Sequence, residues 1–193
     1  MPTAERYRQL LRDAQKADEI HSSAYNAARS KFGTVKKGHE ATTLELAARF
    51  RDLGLFYEAL APAEKRFLAG DATACDDIIN FLEVDIPVSG SGYKREKFYR
   101  KFKSMKLNRE QVVRLQDIAV ARCASTEQRR EDAELRRLMI KFANSEFLRR
   151  IANVPDDAGA RVRRKKSLMV EVVLKGRKDL RPTTESSIKR KLA

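Results

Sequence analysis

Apolar residues recur along this chain at steps of three and four, the spacing that keeps one face of a helix out of water. Tyr7, Leu10, Ala14, Ala17, His21, Ala24 and Ala28 predict a long helix over residues 3–31, and the alanine-rich seam implies close approach to another helix. Lys31–Gly38 reads as a loop bracketed by Gly33 and Gly38. A second helix is expected over Glu40–Leu53, with Leu46, Phe50 and Leu53 on one side, before Gly54 interrupts it. Leu55, Phe56, Leu60 and Ala61 form a short apolar segment; Pro62 then suits the first turn of a helix to Ala69, and Gly70 suits its end.

Capping signals divide the rest. Asp71 predicts the start of a helix to about Val84, with Cys75, Ile78, Ile79 and Leu82 at core spacing. A Pro87–Gly92 breaker leads into a helix to Lys106 whose Phe98, Phe102 and Met105 point inward, with Tyr99 beside them. Asn108 with Gln111, and Ser125 with Gln128, have capping-box spacing. They predict helices over Arg109–Cys123, with Val112, Leu115, Ala119 and Cys123 inward, and over Thr126–Ala143, with Leu135, Leu138, Met139 and Phe142 inward. Asn144 caps a short helix carrying Phe147, Leu148 and Ile151; Pro155 ends that connection, and Asp156 or Asp157 caps a helix from about Ala158 to Lys175, closed by Gly176. The expected fold is all-α: an N-terminal helical hairpin region over residues 1–70, a basic region of stacked antiparallel helix pairs over 71–176, and a mobile basic tail over 177–193.

Composition agrees with helices, since the 193 residues include no Trp and only 8 Gly, which argues against a β-sandwich or a Gly-rich nucleotide fold. The length suffices for one helical domain with a real core or two small ones. Charge is divided unevenly. Residues 1–90 carry 12 Lys and Arg against 14 Asp and Glu, and residues 91–193 carry 29 against 13. A basic half of this kind points to a polyanion: nucleic acid, DNA or RNA, without sequence preference, or an acidic protein. The basic residues fall in clusters: Lys94, Arg95, Lys97, Arg100, Lys101, Lys103 and Lys106; Arg129, Arg130, Arg136 and Arg137; Arg149 and Arg150; and Arg161, Arg163, Arg164, Lys165 and Lys166. Helices repeated in register would present one cluster each along a common face and track phosphates; otherwise each cluster is the solvated face of its own helix. A scaffold binding an acidic protein, or a subunit of a larger complex, is the alternative. No membrane partner is expected, because no apolar run is long enough to span a bilayer and the basic helices expose no apolar face.

The chain offers little candidate chemistry. Cys75 and Cys123 lie inside apolar stripes and read as buried thiols; with His21 and His39 they match no metal-ligand spacing. Asp76, Asp77, Glu83 and Asp85 lack a calcium loop and a histidine, and read as a solvated acidic face. The glycines of SGSG, Ser89–Gly92, lack the lysine and hydroxyl of a phosphate loop and read as a turn. No catalytic residue, metal or cofactor is assigned, which leaves a DNA-acting enzyme whose site forms only in space as a lesser alternative. The expected location is cytoplasmic or nucleoid-associated.

The second half is also periodic. First helices start near Ala72, Arg109 and Ser145, and their partners near Ser91, Thr126 and Asp157, giving steps of roughly 31–37 residues. Segment 145–175, with its apolar first helix, Pro155, Asp156 and Asp157 at the turn, and Val162 and Arg163 opening the second helix, resembles a HEAT-like repeat; segment 72–106 follows the same outline. Lys165 and Lys166 stand where such repeats usually place small apolar residues, as in a capping repeat with a polar outer face. The resemblance implies a short, curved helical stack, HEAT-like or a right-handed array, whose surface binds proteins or nucleic-acid backbones. The HEAT-like DNA glycosylases for alkylated bases use tryptophans around the lesion, and this chain has none.

Overall fold

The computed structural model describes residues 40–84, 91–156 and 159–180, together with Glu5, Gln9, Arg12, Asp13 and Lys16, and describes side chains from residue 54 onward in the continuous part, Phe56 excepted. The expected helix over 3–31 as a whole, the loop at 31–38, both histidines and residues 181–193 lie outside them. The described chain is all-helical, with α1 Glu40–Ala69, α2 Cys75–Glu83, α3 Ser91–Phe102, α4 Arg109–Ala124, α5 Asp132–Phe142, α6 Ser145–Ala152 and α7 Ala160–Gly176. Short 3-10 turns occupy Ala72–Ala74 and Lys178–Leu180. The chain divides into two compact units, Met1–Ser91 and Gly92–Ala193.

In the first unit α1 packs on α2 and on the 3-10 turn that precedes it. Gly54 was expected to interrupt this segment and Pro62 to open a new helix, yet one helix runs through both. Continuity keeps Leu60, Ala63 and Phe67 on one buried face, and a single Gly costs a helix only about 1 kcal/mol. The helix stops where expected. Gly70 has φ 97°, its N–H donates to Phe67 O at 3.0 Å, and the Asp71 N–H donates to Arg66 O at 3.1 Å, a Schellman closure. Asp71 then accepts from Thr73 N at 2.8 Å and starts the turn into α2, whose Cys75, Ile78, Ile79, Phe81 and Leu82 are buried. On the acidic side of α2, Asp77 meets Arg66 at 2.9 Å.

In the second unit α7 is the central element: it packs on α4, α5 and α6, while α4 also packs on α5 and α6. Two predicted caps are present. Gln111 N donates to Asn108 Oδ1 at 2.8 Å and Asn108 N to Gln111 Oε1 at 3.2 Å, and Phe147 N donates to Asn144 Oδ1 at 2.8 Å. The predicted inward faces of α3 and α6 are buried, Tyr99 included. Two starts differ. The helix expected from Thr126 begins at Asp132, and the one expected after Asp156 or Asp157 begins after Gly159, which has φ 93°. Arg177–Leu180, read from sequence as the start of the tail, instead packs on α7 with Leu180 buried.

Glycine sites in the two units give opposite expectations. A Cβ added at Gly54 meets nothing within 4 Å, so Gly54→Ala should stabilise α1 by about 0.5–1 kcal/mol. At Gly176 it would lie 2.4 Å from Ile140 Cγ2, a branch whose χ1 is stiff in a helix, so Gly176→Ala should cost about 1–3 kcal/mol. Urea unfolding of the two variants reads both signs; equal effects would refute the packing argument.

Candidate nucleic-acid interface

The site begins with an arginine on an apolar stripe. Arg122 follows Leu115 and Ala119 at helical spacing and is buried near the end of α4. A buried guanidinium needs an anion, and Asp132 supplies it, accepting from Arg122 Nε at 3.1 Å and Nη2 at 3.4 Å. Lys165 of α7 approaches the same carboxylate at 3.5 Å, and the Arg129 N–H donates to it at 3.2 Å. Fixing Asp132 at these partners explains why α5 starts there. Residues 126–131 wrap around the carboxylate as a loop instead of continuing as helix, and Ser125 accepts from Glu127 N at 3.2 Å rather than capping a helix.

That loop, α5 and the first half of α7 enclose a cleft of about 460 Å³. Among the described residues six basic side chains line it, Arg129, Arg130, Arg136, Arg161, Arg164 and Lys165, and one carboxylate, Asp132, already matched by Arg122 and Lys165. Arg129 pairs with Glu127 at 2.6 Å, and Arg130 is held by Glu96 at 2.8 Å. The side chains of Arg136, Arg161 and Arg164 form no hydrogen bond or ion pair among the described residues, and the latter two are exposed. Burial lowers the proton affinity of Lys165, an effect the Asp132 carboxylate opposes. The cleft therefore carries unpaired positive charge at Arg136, Arg161 and Arg164, while two further cations, Arg122 and Lys165, share the Asp132 carboxylate.

The remaining predicted residues do not gather here. Arg95 and Lys166 are 2% and 1% exposed, which corrects their expected place on a basic surface. The reason is phase: Arg95 lies on the helical stripe of Phe98 and Phe102, and Lys166 on that of Val162, Met169 and Val173. Much of the α3 cluster is spent on buried acids. Glu96 takes Arg100, and Glu134 takes Lys103 at 2.7 Å as well as Arg137. Burial alone would raise Glu134, but the hydrogen bonds from Lys103 and Arg137 outweigh it and hold the carboxylate below its usual range. Arg149 pairs with Glu146 and Arg150 with Asp117. Lys97, Lys106 and Arg163 are exposed and Lys94 and Lys101 half-buried, all outside the cleft lining.

A further group of basic side chains satisfies helix C-termini, where carbonyls are left without helical partners and the dipole favours a cation. Lys141 Nζ donates to Lys103 O at 2.8 Å and Met105 O at 3.0 Å, just beyond α3. Lys165 donates to the carbonyls of Arg122, Ser125 and Glu127 at the end of α4. Arg177 donates to Ala143 O at 3.0 Å beyond α5, beside the Gln116 Nε2 bond to Phe142 O at 2.8 Å. Lys166 donates to Val154 O at 2.6 Å beyond α6 and pairs with Asp156 at 2.8 Å. Asp156, one of the two residues expected as the N-cap, holds this lysine instead, and Asp157 lies outside the described residues.

Both cysteines are free and buried. Burial pushes the Cys75 thiol up to about 11 and Cys123, at the base of the cleft region, up to about 12, so neither is a thiolate at neutral pH. Among the described residues no group of three or more His, Cys, Asp and Glu is placed to hold a metal ion, and no helix is long and apolar enough to cross a membrane. Neither the family models nor the curated proteins nor the solved structures compared with the chain match it.

Proposed function

We propose that the C-terminal unit is a non-enzymatic helical module that binds the phosphates of nucleic acid, DNA or RNA, through the cleft between α5 and α7. The observation that carries this reading is the set Arg136, Arg161 and Arg164, three arginines from two helices that converge on one cleft with no acidic partner among the described residues. Guanidinium groups pair with phosphate oxygens in bidentate fashion, so three unspent ones favour a phosphate chain over an isolated carboxylate. The contacts fall on backbone charge, so they carry no sequence preference.

The test is affinity for an oligonucleotide as a function of salt. Each phosphate-contacting arginine removed should lower the magnitude of the slope of log K against log[salt] by about 1, so R136A/R161A/R164A should lower it by about 3. Arg149→Ala, outside the cleft, should change it little. An unchanged slope in the triple variant with an unchanged melting curve, or no binding at low salt, would reject the reading. Stoichiometric co-purification of an acidic protein without nucleic acid would point to the scaffold alternative instead.

A further inference from the structure

At the rim of the cleft stands an aromatic ring that the apolar core does not use. Tyr93 is 65% exposed, whereas Phe98, Tyr99 and Phe102 on the same helix are buried. The Arg130 guanidinium lies over one face of the Tyr93 ring, 4.2 Å from its centroid, and is anchored from behind by Glu96 at 2.8 Å. Arg130 also lines the cleft. One ring face is thus covered by a fixed cation that itself lines the cleft shared with Arg136, Arg161 and Arg164, while Tyr93 stays largely open to solvent.

This pairing is what an unpaired strand requires: a flat aromatic surface for an exposed base face and positive charge for the adjoining phosphates. A duplex has its base faces stacked inside and cannot offer one without unstacking. Resting on the nucleic-acid reading above, we infer that the site takes single-stranded nucleic acid, a base stacking on Tyr93 and Arg130 while the neighbouring phosphates enter the cleft at Arg136, Arg161 and Arg164. The stack tolerates any base, in keeping with a site that reads no sequence. Arg130 also belongs to the ligand surface through its position on the ring, although its charge is partly spent on Glu96.

The experiment compares three probes on the full chain: unstructured oligothymidylate, a duplex of the same length, and inorganic polyphosphate. Tyr93→Ala and Tyr93→Leu should each weaken oligothymidylate binding by about tenfold, while Tyr93→Phe keeps wild-type affinity because it keeps the ring. Polyphosphate binding should be unchanged in all three. The inference is overturned if Tyr93→Ala leaves oligothymidylate binding unchanged, or if it weakens polyphosphate equally, which would make Tyr93 only a support for Arg130; the nucleic-acid reading survives either result. It is also overturned if the duplex binds the wild type as tightly as the single strand and responds equally to Tyr93→Ala. If the wild-type protein binds none of the probes, both readings fall.

Discussion

Asp132→Ala should destabilise the C-terminal unit by about 3–5 kcal/mol, the cost of breaking a buried ion pair from one side. Its carboxylate accepts from Arg122 through two nitrogens and faces Lys165 at 3.5 Å, and both carboxylate and guanidinium are buried. Removing it strands two cations in a shared site and releases the 126–131 loop that Arg129 N anchors to it. For a unit of about 100 residues, a loss of 3 kcal/mol corresponds to roughly 12 °C or more in melting temperature. Thermal melting of the full chain measures it, and hydrogen exchange assigns the loss to α4, α5 and α7. Replacing Arg122 by Met together with Asp132→Ala should recover part of the stability, because one uncompensated charge leaves as well. A cost below about 1 kcal/mol for the single variant would mean that the pair does not organise the cleft.

Lys166→Ala should cost about 2–4 kcal/mol, and Lys166→Met distinctly less. The side chain is almost wholly inside, between Val162 and Met169 on the stripe of α7, with its ammonium on Val154 O and Asp156. Alanine removes the packed stem and leaves a cavity, whereas methionine keeps most of the stem and loses only the donors. Both variants should keep wild-type salt-dependent affinity for an oligonucleotide, since Lys166 does not line the cleft. Equal costs for alanine and methionine would show that the hydrogen bonds dominate; a large loss of affinity in a stably folded Lys166→Met would place the lysine at the ligand after all.

What could be read from the sequence was mainly what is local. Asn108 with Gln111, Asn144 with Phe147, and Asp71 with Thr73 act across two or three residues, and all three caps are in place. The aromatic face of α3 follows from period alone. Where sequence and structure part, a distant partner decides. Ser125 and Gln128 have the spacing of a capping box, but Asp132 is claimed by Arg122, ten residues earlier, and by Lys165 on α7, so the helix starts later. Arg95, Arg122 and Lys166 look like surface charges by residue type and like core by phase, and phase was the better guide. Of the basic clusters, the cleft unites members of two, Arg129, Arg130 and Arg136 with Arg161, Arg164 and Lys165, because α5 packs on α7. No local pattern announces that meeting. Nothing in the sequence pattern singles out Tyr93; its exposure in the fold does.

The cationic caps on the helix ends have a consequence for the order in which this half of the chain is made. A ribosome delivers the end of α3 before the lysine that satisfies it, since Lys141 follows by 38 and 36 residues the carbonyls of Lys103 and Met105. The carbonyls at the end of α4 wait 38–43 residues for Lys165, and Ala143 waits 34 for Arg177. Growing chains that have not reached α7 therefore carry the ends of α4, α5 and α6 without these donors. These helix ends gain their cationic donors together, when α7 and Arg177 emerge, rather than helix by helix as the chain is synthesised.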